Sequence, residues 1–161
     1  MAALAREASQ DTRVYLVGGT SAVLLGWRSS TMDVDLVIRP ESDAVLRAIP
    51  ALKERLHLNV ELASPDQFIP VPDGWTERGR FITTIGRMTF FHYDLYAQAL
   101  AKVERGHARD LADVHAMVDR GLIETTKARD YFLQIEPLLY RFPAIDPPTF
   151  RRAVDEMFPG G

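Results

Sequence analysis

Short apolar runs separated by tight-turn signals organise the first half of the chain. The runs are five or six residues long, and they are rich in β-branched and aromatic residues or alternate apolar with polar positions. That pattern is typical of strands. The turn Gly86-Arg87 lies between the last two runs and predicts a hairpin. The predicted strands are 13–17, 34–38, 58–63, 81–85 and 88–93.

Apolar residues at helical spacing occur between these runs and throughout most of the second half of the chain. A short helix is expected over 20–26, capped by Thr20 or Ser21, and a longer one over 42–55 that Pro50 should kink or interrupt. The stretch 65–79 is rich in Pro, Gly and Asp and is expected to be the longest loop. The later helices are predicted to end near 104, to span 109–120 and 125–140, and to start near 146.

These elements predict an α+β fold with a small mixed sheet flanked by helices and an α-helical C-terminal half. The chain is long enough for one domain with one core, so we expect a single domain. Its α/β core is expected over 1–94 and its helical part over 95–161.

Composition narrows the class of protein. The 161 residues are 47% hydrophobic and 25% charged, with a formal net charge of −3, which is ordinary for a soluble globular chain. The absence of cysteine excludes disulfides, zinc–thiolate sites and thiol nucleophiles. The apolar runs are too short and too interrupted by charge to predict a membrane span. The expected location is the cytoplasm.

A pair of carboxylates carries the clearest chemical signal. Asp33 and Asp35 are two residues apart in a predicted strand, so both side chains should leave the same face of the sheet, roughly 6–7 Å apart. Carboxylate oxygens with substrate phosphates are the ligands that Mg²⁺ prefers. Two such ions stabilise the attacking and leaving oxygens in phosphoryl transfer.

A glycine turn precedes the carboxylate pair. Gly18 and Gly19 would let the backbone approach a phosphate closely, and the hydroxyls of Thr20 and Ser21 would add donors. A lone Gly-Gly is usually only a turn, and a lone Asp-x-Asp is usually a solvated strand face. Their succession around a short helix, with the acids in an otherwise apolar strand, favours a nucleotide site.

The segment GGTSAVLLGWRSSTMDVDLVI resembles the signature of the DNA polymerase β-like nucleotidyltransferases. More closely, it resembles the AbiEii-type and DUF6036 nucleotidyltransferases of bacterial toxin–antitoxin loci. Arg28 and Thr31 have counterparts in those proteins. The resemblance extends over most of 13–123 and leaves the role of 124–161 undefined.

The resemblance implies two further site residues, and the charge of Arg28 near the carboxylate strand suggests a third. Glu61 is the candidate for a third carboxylate that would ligate the catalytic metal from a neighbouring strand, although the family usually has Asp there. Lys102, followed by Arg-Asp-x-x-Asp, would contact the triphosphate as a mobile point charge. Arg28 either neutralises the carboxylates or holds a phosphate.

Two functions follow as hypotheses. The first is Mg²⁺-dependent transfer of a nucleoside monophosphate from an NTP to a hydroxyl, on the 3′ end of tRNA or on a partner protein, in a toxin–antitoxin system. The second is a catalytically weak binding module that keeps the fold and acts through a protein or nucleotide partner. Base preference, acceptor and oligomeric state stay open.

Overall fold

The structure is a computed structural model, and it describes residues 1–160. The chain divides into two compact units. The first contains 1–64 and 79–93, and the second contains 65–78 and the chain from 94 onward. The segment 65–78 was predicted only as a loop, yet it belongs to the helical unit.

The first unit is built on a five-stranded mixed sheet in the order β3-β2-β1-β5-β4. Neighbouring strands β1/β2 and β4/β5 pair antiparallel, whereas β1/β5 and β2/β3 pair parallel. All five predicted strands are confirmed to within about two residues. Their bounds are β1 Thr12–Val17, β2 Asp33–Arg39, β3 Asn59–Leu62, β4 Arg80–Ile85 and β5 Met88–His92.

Three helices accompany this sheet: α1 Ala2–Ala5, α2 Gly18–Leu24 and α3 Asp43–Leu56. Helix α2 begins at Gly18, two residues before the predicted start, so the glycine turn forms its first turn. Pro50 was predicted to kink or interrupt α3, and the interruption does not occur, because the helix runs unbroken through Pro50. Proline removes one helical hydrogen bond, but buried Val45 and Leu52 hold the helix in the core on both sides of it.

The carboxylates of β2 lie on the face of the sheet opposite an apolar core cluster. On β2, Leu36 and Ile38 join Leu16 and Phe90 in a core cluster that includes the buried side of α3. Strand side chains alternate between faces, so Asp33 and Asp35 point to the opposite face. The packing of α3 therefore decides which face carries the carboxylates.

The second unit is helical, as predicted. Three of the four α-helices lie within about one residue of the predicted bounds, whereas α6 ends at Ile135, five residues before its predicted end. A 3₁₀ helix at Glu136–Arg141 follows it, and another occupies Pro65–Gln67. No helix within residues 1–160 is long and apolar enough to cross a membrane. The helices are α4 Leu95–Arg105, α5 Ala108–Asp119, α6 Thr125–Ile135 and α7 Pro147–Met157.

A buried ion pair attaches segment 65–78 to α4. Arg78 lies 2.7 Å from the Asp94 carboxylate, whose side chain is 1% exposed. The other oxygen of Asp94 accepts from the backbone N–H of Tyr96 at 3.0 Å and so caps α4. The Arg78 guanidinium also stacks over the Tyr131 ring at 4.5 Å. One carboxylate thus ties the segment to the helix start.

Removal of this carboxylate tests its role. Asp94→Ala should lower the free energy of unfolding by roughly 3 kcal/mol, because it leaves Arg78 without its buried partner and α4 without its cap. Denaturant unfolding followed by circular dichroism measures the loss. Asp146→Ala is the matched control, since Asp146 caps α7 through Thr149 from an exposed position. A loss no larger than the control's would contradict the assignment.

Candidate functional site

Four polar side chains form a block on one face of the sheet. Strands β2 and β3 run parallel in a register that places Asp33 beside Asn59 and Asp35 beside Glu61. Register partners project to the same face, so three carboxylates and one amide are immediate neighbours there. Asp33 and Glu61 are exposed, whereas Asp35 and Asn59 are half-buried. The structure thus brings the predicted third carboxylate next to the predicted pair.

The Asn59 amide joins two of these carboxylates. Its Nδ2 donates to Asp33 Oδ1 at 3.2 Å and to Glu61 Oε1 at 2.9 Å. The backbone N–H of Asn59 donates to the Met32 carbonyl at 2.8 Å. Both the main chain and the side chain of Asn59 are therefore fixed against the strand that carries Asp33.

The glycine turn lies against the same carboxylates. Gly18 has φ +59°, and a Cβ added there would come within 3.0 Å of Asp35 Oδ2. A Cβ on Gly19 would come within 2.6 Å of Thr31 Oγ1 and 3.4 Å of an Arg28 guanidinium nitrogen. A side chain at either position would therefore have to displace Asp35 or Thr31. The structure therefore brings the turn, Asp35, Thr31 and Arg28 together.

Two hydroxyls fix the start of the carboxylate strand. Thr20 Oγ1 donates to the Asp33 carbonyl at 3.2 Å, and Thr31 Oγ1 lies 3.1 Å from the same oxygen. The Asp33 N–H donates to Thr31 Oγ1 at 3.2 Å. The Thr20 hydroxyl proton is thus used within the protein, where it ties the glycine turn to β2.

The prediction for the Ser21 side chain needs correction. Ser21 is fully buried, and its hydroxyl donates to the Leu16 carbonyl at 3.0 Å instead of facing a phosphate. His92 Nδ1 lies 3.0 Å from the same hydroxyl oxygen. Because the single Ser21 proton is given to Leu16, His92 Nδ1 is the donor in this contact. Ser21 holds the helix after the glycine turn against β1 and β5.

His92 is the titratable member of this buried chain of hydrogen bonds. It is 6% exposed at the end of β5. Burial, followed by the nearby positive charge of Arg80, lowers its pKa from 6.5 to about 4. The ring is therefore neutral at physiological pH and keeps its Nδ1 proton for Ser21.

Lys102 belongs to the second unit and is held by carboxylates. It is 4% exposed, and its Nζ donates to Asp110 at 2.9 Å and to Asp113 at 2.7 Å. Arg105 also donates to Asp110 at 2.9 Å. Lys102 is thus a fixed charge and not the mobile one expected, and its contact with a nucleotide stays a prediction.

The donor set on the carboxylate face fits Mg²⁺ in chemical type. Mg²⁺ takes one or two carboxylates plus waters or phosphates, and Asp33, Asp35 and Glu61 offer three side by side. Within residues 1–160, no group of three or more His, Cys, Asp or Glu side chains is arranged to hold a metal ion. The three carboxylates are neighbours on the face but do not converge on one point.

The opposite face of the sheet has a different character. A cavity of about 190 Å³ lies there, bordered by Leu16, Val34, Leu36 and Val60. Its lining is apolar except for Thr20. It offers neither cations nor donors in the number a triphosphate needs, so the carboxylate face is the candidate site.

Sequence reasoning missed Asn59 and His92. Asn59 stands two residues before Glu61, so strand alternation alone places both on one face and was a usable signal. The partner of His92 lies 71 residues away along the chain. No local pattern predicts that contact.

Comparison with known families agrees with this geometry. Residues 1–139 match the family model described as "Nucleotidyltransferase of unknown function (DUF6036)". The chain belongs to this family, and the predicted nucleotidyltransferase fold is confirmed. Searches of curated proteins and of solved structures returned no match.

The lowered pKa of His92 predicts acid sensitivity. Between pH 6.5 and about 4 the unfolded chain binds a proton that the folded ring refuses, so stability should fall as the pH drops through this window. The slope contributed by this group is at most about 1.4 kcal/mol per pH unit. Denaturant unfolding at pH 7, 6 and 5 measures it.

His92→Asn provides the control for this measurement. The Asn amide retains a donor for Ser21 but does not titrate, so the variant should lose less stability than the wild type between pH 7 and 5. Parallel pH profiles of the two proteins would refute the assignment.

Proposed function

We propose that this chain transfers a nucleoside monophosphate from an NTP to a hydroxyl acceptor and releases pyrophosphate. The observation that carries the proposal is the contact between the glycine turn and the carboxylate strand. A Cβ on Gly18 would come within 3.0 Å of Asp35 Oδ2, so side-chain-free backbone lies directly beside a carboxylate. Backbone that can approach phosphate closely and carboxylates that hold cations are the two parts that a metal–triphosphate needs.

In this proposal the three carboxylates have two different roles. Asp35 lies against the glycine turn and, with Asp33, would hold Mg²⁺ on the triphosphate. Glu61 lies beside Asp35 on the edge strand β3 and would complete the acceptor side. When bound, Mg²⁺ would supply electrostatic stabilisation of the attacking and leaving oxygens.

The remaining site residues of the first unit would position the phosphates or neutralise their charge. Gly18 and Gly19 would admit the β- and γ-phosphates, while Thr20 keeps the turn beside Asp33 through its hydrogen bond to the strand. Arg28 lies next to Gly19 and carries the positive charge nearest the turn. In this reading it contacts a phosphate oxygen when the nucleotide binds.

The acceptor is a hydroxyl on the 3′ end of tRNA or on a partner protein. Both classes rest on the resemblance to nucleotidyltransferases of toxin–antitoxin loci, through Gly18-Gly19-Thr20, Arg28, Thr31 and the aspartate pair. Transfer to tRNA would make the protein a growth-arresting toxin, and transfer to a protein would make it an antitoxin that modifies its toxin.

Label transfer tests the enzymatic proposal. The protein is incubated with each α-³²P-labelled NTP, Mg²⁺ and either total tRNA or cellular protein. Transfer by the wild type should vanish in the Asp33→Ala/Asp35→Ala variant. The matched control is Asp11→Ala/Glu41→Ala, which makes the same change of net charge at exposed positions of the same unit.

Two results would contradict the proposal in different ways. One is transfer that survives in the Asp33→Ala/Asp35→Ala variant, which would locate the chemistry elsewhere. The other is wild-type protein that binds NTP with Mg²⁺ but labels neither pool, which would favour the catalytically weak binding module.

A pair of glycine substitutions tests the turn separately. Gly18 and Gly86 have nearly the same φ, +59° and +57°, but nothing lies within 4 Å of a Cβ on Gly86. Gly18→Ala and Gly86→Ala should therefore each cost roughly 1–2 kcal/mol of stability through backbone strain. Only Gly18→Ala should weaken NTP binding in calorimetry, because its methyl group displaces Asp35. Equal NTP affinities in the two variants would contradict a role for the turn.

A further inference from the structure

Asn59 occupies one corner of the carboxylate block and contacts two of its three acids. Its two amide protons go to different carboxylates, one to Asp33 Oδ1 and one to Glu61 Oε1. Asp33 and Glu61 are diagonal neighbours, on adjacent strands and two residues apart in register. Within residues 1–160, no other side chain donates to both of these carboxylates.

The geometry points to a positioning role: we infer that Asn59 orients Asp33 and Glu61 for binding of a divalent cation. This inference rests on the proposed function, because it concerns the same carboxylates. It adds a residue that neither the sequence motif nor the family description includes.

The residue type at position 59 suits this role. Like charges on adjacent strands destabilise a sheet, and the carboxylates of this block would separate without a donor between them. A lysine at position 59 would hold both carboxylates but would cancel the charge that attracts a cation. An aspartate would add a further negative charge. A neutral amide orients both acids and leaves their charge intact.

The hydrogen bonds also leave acceptor capacity for a cation. The amide uses one oxygen of Asp33 and one of Glu61, and each carboxylate keeps its second oxygen, Oδ2 or Oε2. Partners that hydrogen-bond to metal-ligating carboxylates typically change metal affinity or activity 10–100-fold when they are lost. Asn59 is placed to act in this way through Glu61 and Asp33 without touching the reacting atoms.

Direct cation binding tests the inference without any measurement of catalysis. Mn²⁺ is the probe, titrated into the full chain with and without a non-hydrolysable NTP analogue and followed by electron paramagnetic resonance. Asn59→Leu keeps the side-chain size and removes both donors. It should weaken Mn²⁺ binding about tenfold, while Asn59→Gln, which restores an amide, should recover part of that loss.

Two further variants distinguish the loss of carboxylate orientation from a general disturbance of the fold. Thr84→Val removes a polar contact from the exposed edge strand β4, where Thr84 bonds Thr89 at 3.2 Å, and it should leave Mn²⁺ affinity unchanged. Glu61→Gln removes one charge but keeps an oxygen that accepts from the amide. If Asn59 acts through Glu61, the double variant Asn59→Leu/Glu61→Gln should bind Mn²⁺ more tightly than additive losses predict.

Each outcome has a separate meaning. Unchanged Mn²⁺ affinity in a folded Asn59→Leu variant would overturn the inference and leave the proposed function intact. Tighter binding would also overturn it, because the amide would then compete with the cation instead of orienting its ligands. Failure of the wild type to bind Mn²⁺ even with the NTP analogue would remove both the inference and the metal-dependent function.

Discussion

The parallel, in-register pairing of β2 with β3 is the constraint on which the site depends. It sets Asp33 beside Asn59 and Asp35 beside Glu61, and a slip of one residue would send a whole strand's side chains to the other face. Parallel neighbours need a long crossover connection, and α3 supplies it. Since α3 packs its apolar side on one face, the carboxylates are left on the other.

Three neighbouring carboxylates cost free energy through charge repulsion and loss of hydration. This cost is limited because β2 becomes buried only beyond the acids. The strand is exposed at Asp33, half-buried at Asp35 and buried from Leu36 to Ile38. The acids therefore lie at the solvated end, where their charge costs less than in the core. The sequence interpretation placed them in a strand that looked buried throughout. The observed gradient explains how the strand can serve both the core and the site.

The elements that sequence predicted well are those set by local periodicity. Alternating apolar residues and the Gly86-Arg87 turn located the strands, and the same alternation placed Asp33 and Asp35 on one face. The contacts that sequence missed join distant parts of the chain, such as His92 with Ser21. Helix α3 is not interrupted at Pro50, because packing of its buried side compensates for one lost hydrogen bond.

Two charged clusters, one in each unit, differ in their balance of positive and negative charge. In the second unit, Lys102 and Arg105 face Asp110 and Asp113, so two positive charges meet two negative ones in a largely buried setting. Buried ions need such partners. In the first unit, three carboxylates lie side by side at a partly exposed end of the sheet, and Arg28 lies at the glycine turn that borders Asp35. Solvent exposure lowers the cost of these like charges, so no buried counter-ion is needed to fold this part of the chain. If Mg²⁺ binds here with a triphosphate, as proposed above, these carboxylates are the negative charge that the cation would meet.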